Sequence, residues 1–261
     1  MEGHRKKFCK VLMRTINVHG CLTLFEKFLT DKVDHHYKEY FRDELKGLKS
    51  TGKNQIGSFQ AKKKNTPDII KKCVSKKDIS MSDSAELNSA LFGVVPFLEW
   101  YQIFDGEEID PSLSKGLIAG QIVGKKGLIK SNEFYMGLFF LSPKIHYPLH
   151  QHNPLEIYYV FSGTLQIQHG RRKLPFSVGA GNYSITPCNQ VHSLTTNEKP
   201  CFICYMWVKG YGDLQGPNWW WEEQKNGSWK RVCWERQPDS KWKITGSEKL
   251  TQSIVDASGD S

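Results

Sequence analysis

From about residue 115 onward, short runs rich in aromatic and β-branched residues alternate with Gly, Pro and Asn: GLIAGQIV, FYMGLFFL, EIYYVFSG, TLQIQHG, NYSITP, VHSLTT and CFICYMWV. Runs of this length between turn residues read as strands, and their close spacing leaves no room for crossover helices. The pattern predicts an all-β sandwich or barrel and argues against a parallel α/β sheet. PNWWWEE, SWKRVCWER and KWKITG read as further strands at a sheet edge, and from about Gly246 the chain is polar and expected to fray. The N-terminal third has a different period. Leu22, Phe25, Phe28 and Leu29, then Tyr37, Tyr40 and Phe41, recur at three- and four-residue steps, which predicts helix across residues 6–48. A second helix is expected to open at Asp83, with Glu86 in a capping box. Its apolar face is Leu87, Ala90, Leu91 and Val94, and Pro96 kinks or ends it. The expected organisation is an N-terminal helical extension over 1–83, a β domain over 84–245 with Trp-rich C-terminal strands, and a polar tail over 246–261.

Composition agrees with a folded chain. Of 261 residues, 39% are hydrophobic and 24% charged, which excludes a disordered, collagen-like or coiled-coil protein. No apolar run approaches the roughly 20 residues that cross a bilayer. The basic N-terminus lacks the apolar core and cleavage site of a secretory signal, so the expectation is a cytoplasmic protein without a membrane partner. The seven cysteines are odd in number and read as reduced thiols. The net charge of +9 is concentrated upstream: ten lysines and one acid, Asp68, lie between Lys46 and Lys77. Among Gly, Ser, Thr, Asn and Pro, that run reads as a Lys-rich linker or surface loop over 46–77. It holds no arginine and one aromatic, Phe59, so nucleic acid is not an expected partner.

The densest chemistry lies in His146–Tyr159. Side chains two apart on a strand share a face, which pairs His150 with His152. If the bend at Asn153-Pro154 keeps the parity, Glu156 and Tyr158 join them. Two imidazoles and a carboxylate, with His192 from a later strand, form a ligand set for a divalent transition metal. His146 is set aside. His169 precedes Gly170 in an expected turn and is taken as exposed, and His35 and His36 as surface or packing residues.

This pattern resembles the cupin superfamily. Its first motif is matched by His150, His152, Glu156 and Gly163, and its second by Gly181, Pro187 and His192. Lys144 and Asn189 stand where the two motifs usually have Gly. More narrowly, YPLHQHNPLEIYYVFSG and GNYSITPCNQVHSLTTNEKPCFICYMWVKG resemble the two motifs of the cupin-type dimethylsulfoniopropionate lyases, over roughly residues 85–210.

The resemblance implies a mainly β fold: a cupin β-barrel (double-stranded β-helix, or jelly roll) with an N-terminal helical extension. It implies β-elimination of a small zwitterionic substrate to dimethyl sulfide and acrylate. His150, His152, Glu156 and His192 would hold a divalent ion (Fe, Zn, Mn, Ni or Co). Tyr158 would be the base, and Tyr147 would orient the carboxylate or share that role. Trp207 would receive the sulfonium by cation–π contact. Two alternatives stay open: another metal-dependent cupin enzyme, such as a dioxygenase or isomerase on a small carboxylate, and a non-catalytic metal-binding module. A homo-oligomer is also left open.

Overall fold

The computed structural model describes residues 14–16, 18–51, 59–61, 63–75, 85–209, 214 and 216–260. Helices α1 (Val18–Lys32), α2 (Lys38–Thr51), α3 (Asp68–Ser75) and α4 (Ala85–Val94) come first, with a short ribbon of β1 (Arg14–Ile16) and β2 (Phe59–Ala61). After β3 (Trp100–Gln102) and α5 (Pro111–Gly116) the chain is almost entirely strand. In order these are β4 (Leu117–Val123), β5 (Phe134–Leu141), β6 (His146–Gln151), β7 (Leu155–Ser162), β8 (Thr164–His169), β9 (Phe176–Gly179), β10 (Tyr183–Thr186), β11 (His192–Thr195) and β12 (Cys201–Val208). The Trp-rich segments form β13 (Asn218–Glu223), β14 (Trp229–Arg236) and β15 (Trp242–Lys249), followed by α6 (Gln252–Ala257).

The strands make two antiparallel sheets, β10-β7-β12-β5-β4-β3 and β15-β14-β13-β6-β11-β8-β9, facing each other across a shared core as a jelly-roll barrel. Alternation along β5 and β12 explains the architecture. Tyr135, Phe139, Leu141, Cys201, Ile203 and Tyr205 point between the sheets, where they meet Tyr147, Leu165, Ile167, Leu194 and Trp220. Met136, Leu138, Phe140, Phe202, Cys204 and Met206 point the other way. A strand apolar on both faces needs a second cover. Here Leu22, Phe25, Phe28 and Leu29 of α1, Phe41 and Leu45 of α2, and Leu87 and Leu91 of α4 supply it.

Four local features differ from expectation. The helical region is interrupted at 33–37, where His35, His36 and Tyr37 stack and Asp34 N–H donates to the Tyr183 hydroxyl at 3.0 Å. The Lys-rich run contains β2 and α3, because Ile70 is fully buried while Lys63, Lys64, Lys71 and Lys72 stay at the surface. Beyond Gly246 the chain does not fray: it completes β15, forms α6 and buries Ser258 and Asp260. His169 is half-buried on β8 as the register partner of His192, not exposed in a turn. Residues 6–13 and the proposed cap Asp83 lie outside the described residues.

Gly163 and Gly181 have φ of +84° and +89°, and the two residues standing in for motif glycines, Lys144 and Asn189, both have φ of +59°. The turns thus keep their left-handed geometry without glycine.

Candidate active site

The site sits between the sheets, with one wall from each. His150 on β6 and His192 on β11 are register partners, and His152 follows the end of β6. From the opposite wall β7 presents Glu156 and Tyr158, and Trp207 on β12 is the register partner of Glu156. Strict alternation would put His146 on the same face as His150 and turn Tyr147 away. Instead the β6–β11 register slips: His192 opposes His150 and Leu194 opposes Tyr147, so β6 carries one extra residue in a bulge over Pro148-Leu149. Tyr147 is therefore inward, its ring stacked on His150 at 3.6 Å between centroids, while His146 is exposed and bonded to Thr195.

Candidate ligand atoms of His150, His152 and His192 lie within 4.8 Å of one another. Glu156 Oε2 is 3.3 Å from His152 Nε2 and 3.7 Å from His192 Nε2. The backbone sets two of the imidazole tautomers. His150 Nδ1 lies 2.8 Å from the Pro148 carbonyl, and His192 Nδ1 lies 2.9 Å from the Gln190 carbonyl. A carbonyl only accepts, so each Nδ1 carries the proton and each Nε2 is left as a bare donor to a metal. Burial, reinforced by neighbouring histidines, pushes both pKa values well below the ordinary imidazole value and keeps the rings neutral.

Among the described residues these donors have no hydrogen-bond partner. His150 Nε2, His192 Nε2, both nitrogens of His152 and Glu156 Oε2 are buried without a hydrogen-bond partner. Stranding one such group costs about 1–3 kcal/mol, so a convergent set calls for a ligand. Three imidazoles and a carboxylate fit a divalent transition-metal ion. Glu156 is aimed by Trp207, whose indole N–H donates to Oε1 and leaves Oε2 facing the histidines.

A cavity of about 660 Å³ opens onto the group, lined by Tyr147, His150, His152, Tyr158, Tyr205 and Trp207 among others. Tyr158 is fully buried against Glu156, and desolvation together with that carboxylate raises its pKa well above the ordinary value. Burial also raises that of Tyr147, whose hydroxyl accepts from Asn218 Nδ2 at 2.9 Å. The structure thus brings together the seven expected site residues: Tyr147, His150, His152, Glu156, Tyr158, His192 and Trp207. Sequence reasoning missed Asn218 and Tyr205. Tyr205 was discoverable, since it is two residues from Trp207 on one strand and so shares its face.

Among the described residues no helix is long and apolar enough to cross a membrane. The profile of the dimethylsulfoniopropionate lyase family matches residues 49–203. The dimethylsulfoniopropionate lyase DddQ of Ruegeria pomeroyi is 21% identical over 142 residues, 54% of this chain and 68% of that one. A chain from the crystal structures of the DMSP lyases RdDddP and RnDddQII superposes with a TM-score of 0.56 at 18% identity, covering 77% of this chain and 96% of that one. At that identity the superposition speaks for the fold, while the family profile covers more than half the sequence. The chain belongs to the dimethylsulfoniopropionate lyase family and is by class a carbon–sulfur lyase.

Proposed function

We propose that the protein cleaves dimethylsulfoniopropionate to dimethyl sulfide and acrylate, with His150, His152, His192 and Glu156 holding one divalent transition-metal ion. The observation that carries this reading is the convergence of orphaned, buried Nε2 and Oε2 atoms from both sheets beside a buried tyrosine. A bound ion would supply Lewis acidity for the enediolate charge that develops on the substrate carboxylate, and a field that favours phenolate.

The chain's own groups do the rest. Tyr158 Oη takes the proton from the carbon next to the carboxylate. The released electron pair becomes the C=C bond as the C–S bond breaks, and dimethyl sulfide leaves with the bonding pair. Burial and the Glu156 charge oppose ionisation of Tyr158, so the base is competent only when a cation offsets both. Tyr147, kept neutral by burial, donates its O–H to a carboxylate oxygen and holds the substrate in line. The aromatic faces of Trp207 and Tyr205 line the cavity where the sulfonium must sit.

The test is to strip the purified protein, reload it separately with iron, zinc, manganese, nickel or cobalt, and incubate it with dimethylsulfoniopropionate. Dimethyl sulfide and acrylate should appear in equal amounts and stop on chelation. Absence of both products with all five metals at high enzyme would overturn the proposal.

A further inference from the structure

We propose that the C-terminal segment Ser258–Asp260 braces the metal site, holding both histidine-bearing segments from outside the barrel. This rests on the metal reading of the histidine cluster. The segment lies beyond the residues that the family profile matches.

Helix α6 is capped by Thr251, whose Oγ1 accepts from Ile254 N–H at 3.3 Å, and it delivers a buried Ser258, a Gly259 with φ of +64° and a buried Asp260. So polar a segment gains little from burial itself; hydrogen bonds hold it, in two arms. In the first, Val191 N–H donates to the Ser258 carbonyl at 2.9 Å, and Gln190 Nε2 donates to the Gly259 carbonyl at 3.1 Å. Gln190 is the residue whose carbonyl accepts from His192 Nδ1 at 2.9 Å and so aims Nε2. In the second arm the Asp260 carboxylate accepts from both the backbone N–H and Nε of Arg171. The Arg171 guanidinium lies over the rings of Trp221 and Trp229, at 5.5 Å and 5.4 Å. Trp221 Nε1 in turn donates to Gln151 Oε1 at 2.6 Å. Gln151 sits between His150 and His152 at the end of β6, so this arm ends on the segment that carries both.

Groups that orient ligands change metal affinity by roughly 10- to 100-fold when removed. The brace acts through backbone and second-layer contacts, so Asp260 and Gly259 are positioning residues. Asp260→Asn weakens the second arm by removing the charge facing Arg171. Gly259→Ala disturbs the first, because a Cβ there would collide with the Gln190 side chain and φ is left-handed.

The test loads full-length wild type and both variants with cobalt(II). It measures the rate of cobalt loss to a chelator and the visible ligand-field spectrum, with circular dichroism and melting of the metal-free proteins alongside. Glu248→Gln, which breaks the surface pair with Arg231, is the control. Both brace variants should keep the β circular dichroism, lose cobalt about tenfold faster and shift the spectrum, while the control matches wild type. A folded Asp260→Asn that melts lower but has the wild-type off-rate and spectrum would overturn the brace alone. A wild type that binds no cobalt would overturn the brace and the metal reading together.

Discussion

The two faces of the six-stranded sheet are built from the same strands and do opposite work. On β7, Ile157, Tyr159 and Phe161 point outward into the helix-covered core, while Glu156, Tyr158 and Val160 point between the sheets. The outer polar group is satisfied: the Tyr159 hydroxyl donates to Asn88 Oδ1 at 2.6 Å, and its ring packs on Phe28 at 4.5 Å. The inner polar groups are buried and stranded. Alternation with a period of two lets one strand carry apolar packing on one face and, on the other, the polar groups to which the proposed chemistry is assigned. The helices bear on the site through the strands whose backs they cover.

The largest expected effect is at the inner face. His192→Ala or Glu156→Ala should abolish metal retention and lyase activity, while the metal-free fold persists at a cost of about 1–3 kcal/mol, because each truncation strands one partner, the Gln190 carbonyl or the Trp207 indole N–H. Metal analysis of the purified variants checks this. At the outer face the pattern reverses. Phe25→Ala should cost about 3–5 kcal/mol and Leu22→Ala about 2–5 kcal/mol in denaturant unfolding, with one metal still bound per folded molecule.

A smaller effect separates the faces by pH. His150 and His192 have pKa values held well below the ordinary one in the metal-free fold. The unfolded chain therefore takes up protons below about pH 6.5 that the folded chain refuses, and stability falls as pH falls, by about 1.4 kcal/mol per pH unit for each such proton. Urea unfolding of the metal-free protein between neutral and mildly acidic pH should show this slope, reduced in His150→Gln. The smallest effect is at the rim. Lys144→Gly should stabilise by up to about 1 kcal/mol, since the left-handed strain it relieves slightly exceeds the entropy that glycine adds to the unfolded chain. The exposed pair of Lys144 with Glu198 offsets little.

The strands of both sheets were legible because their apolar runs are bounded by turn residues, and the convergence of His150, His152, Glu156 and His192 because their spacing survives the Asn153-Pro154 bend. What escaped depends on contacts distant in sequence. The β6 bulge that turns Tyr147 inward is a register slip against β11, and nothing in YPLHQH announces it. The break at 33–37 is stabilised in part by Tyr183, remote in the chain. The ordered segment over 246–260 is held in part by the Asp260 carboxylate finding Arg171 and in part by Val191 and Gln190 donating to the Ser258 and Gly259 carbonyls. Local composition reads that segment as solvated, and only the assembled barrel offers it a partner. Lys144 and Asn189, which depart from the motif as residues, preserve it as backbone.

Two adjacent tyrosines test the account most directly: kcat for dimethylsulfoniopropionate in metal-loaded Tyr158→Phe and Tyr159→Phe, measured side by side. Tyr158→Phe should retain its metal and lose nearly all turnover. Tyr159→Phe should keep wild-type kcat and lose only about 1–2 kcal/mol of stability with its buried hydrogen bond. Full turnover in folded, metal-bound Tyr158→Phe would contradict the assignment of the inner face as the seat of the chemistry.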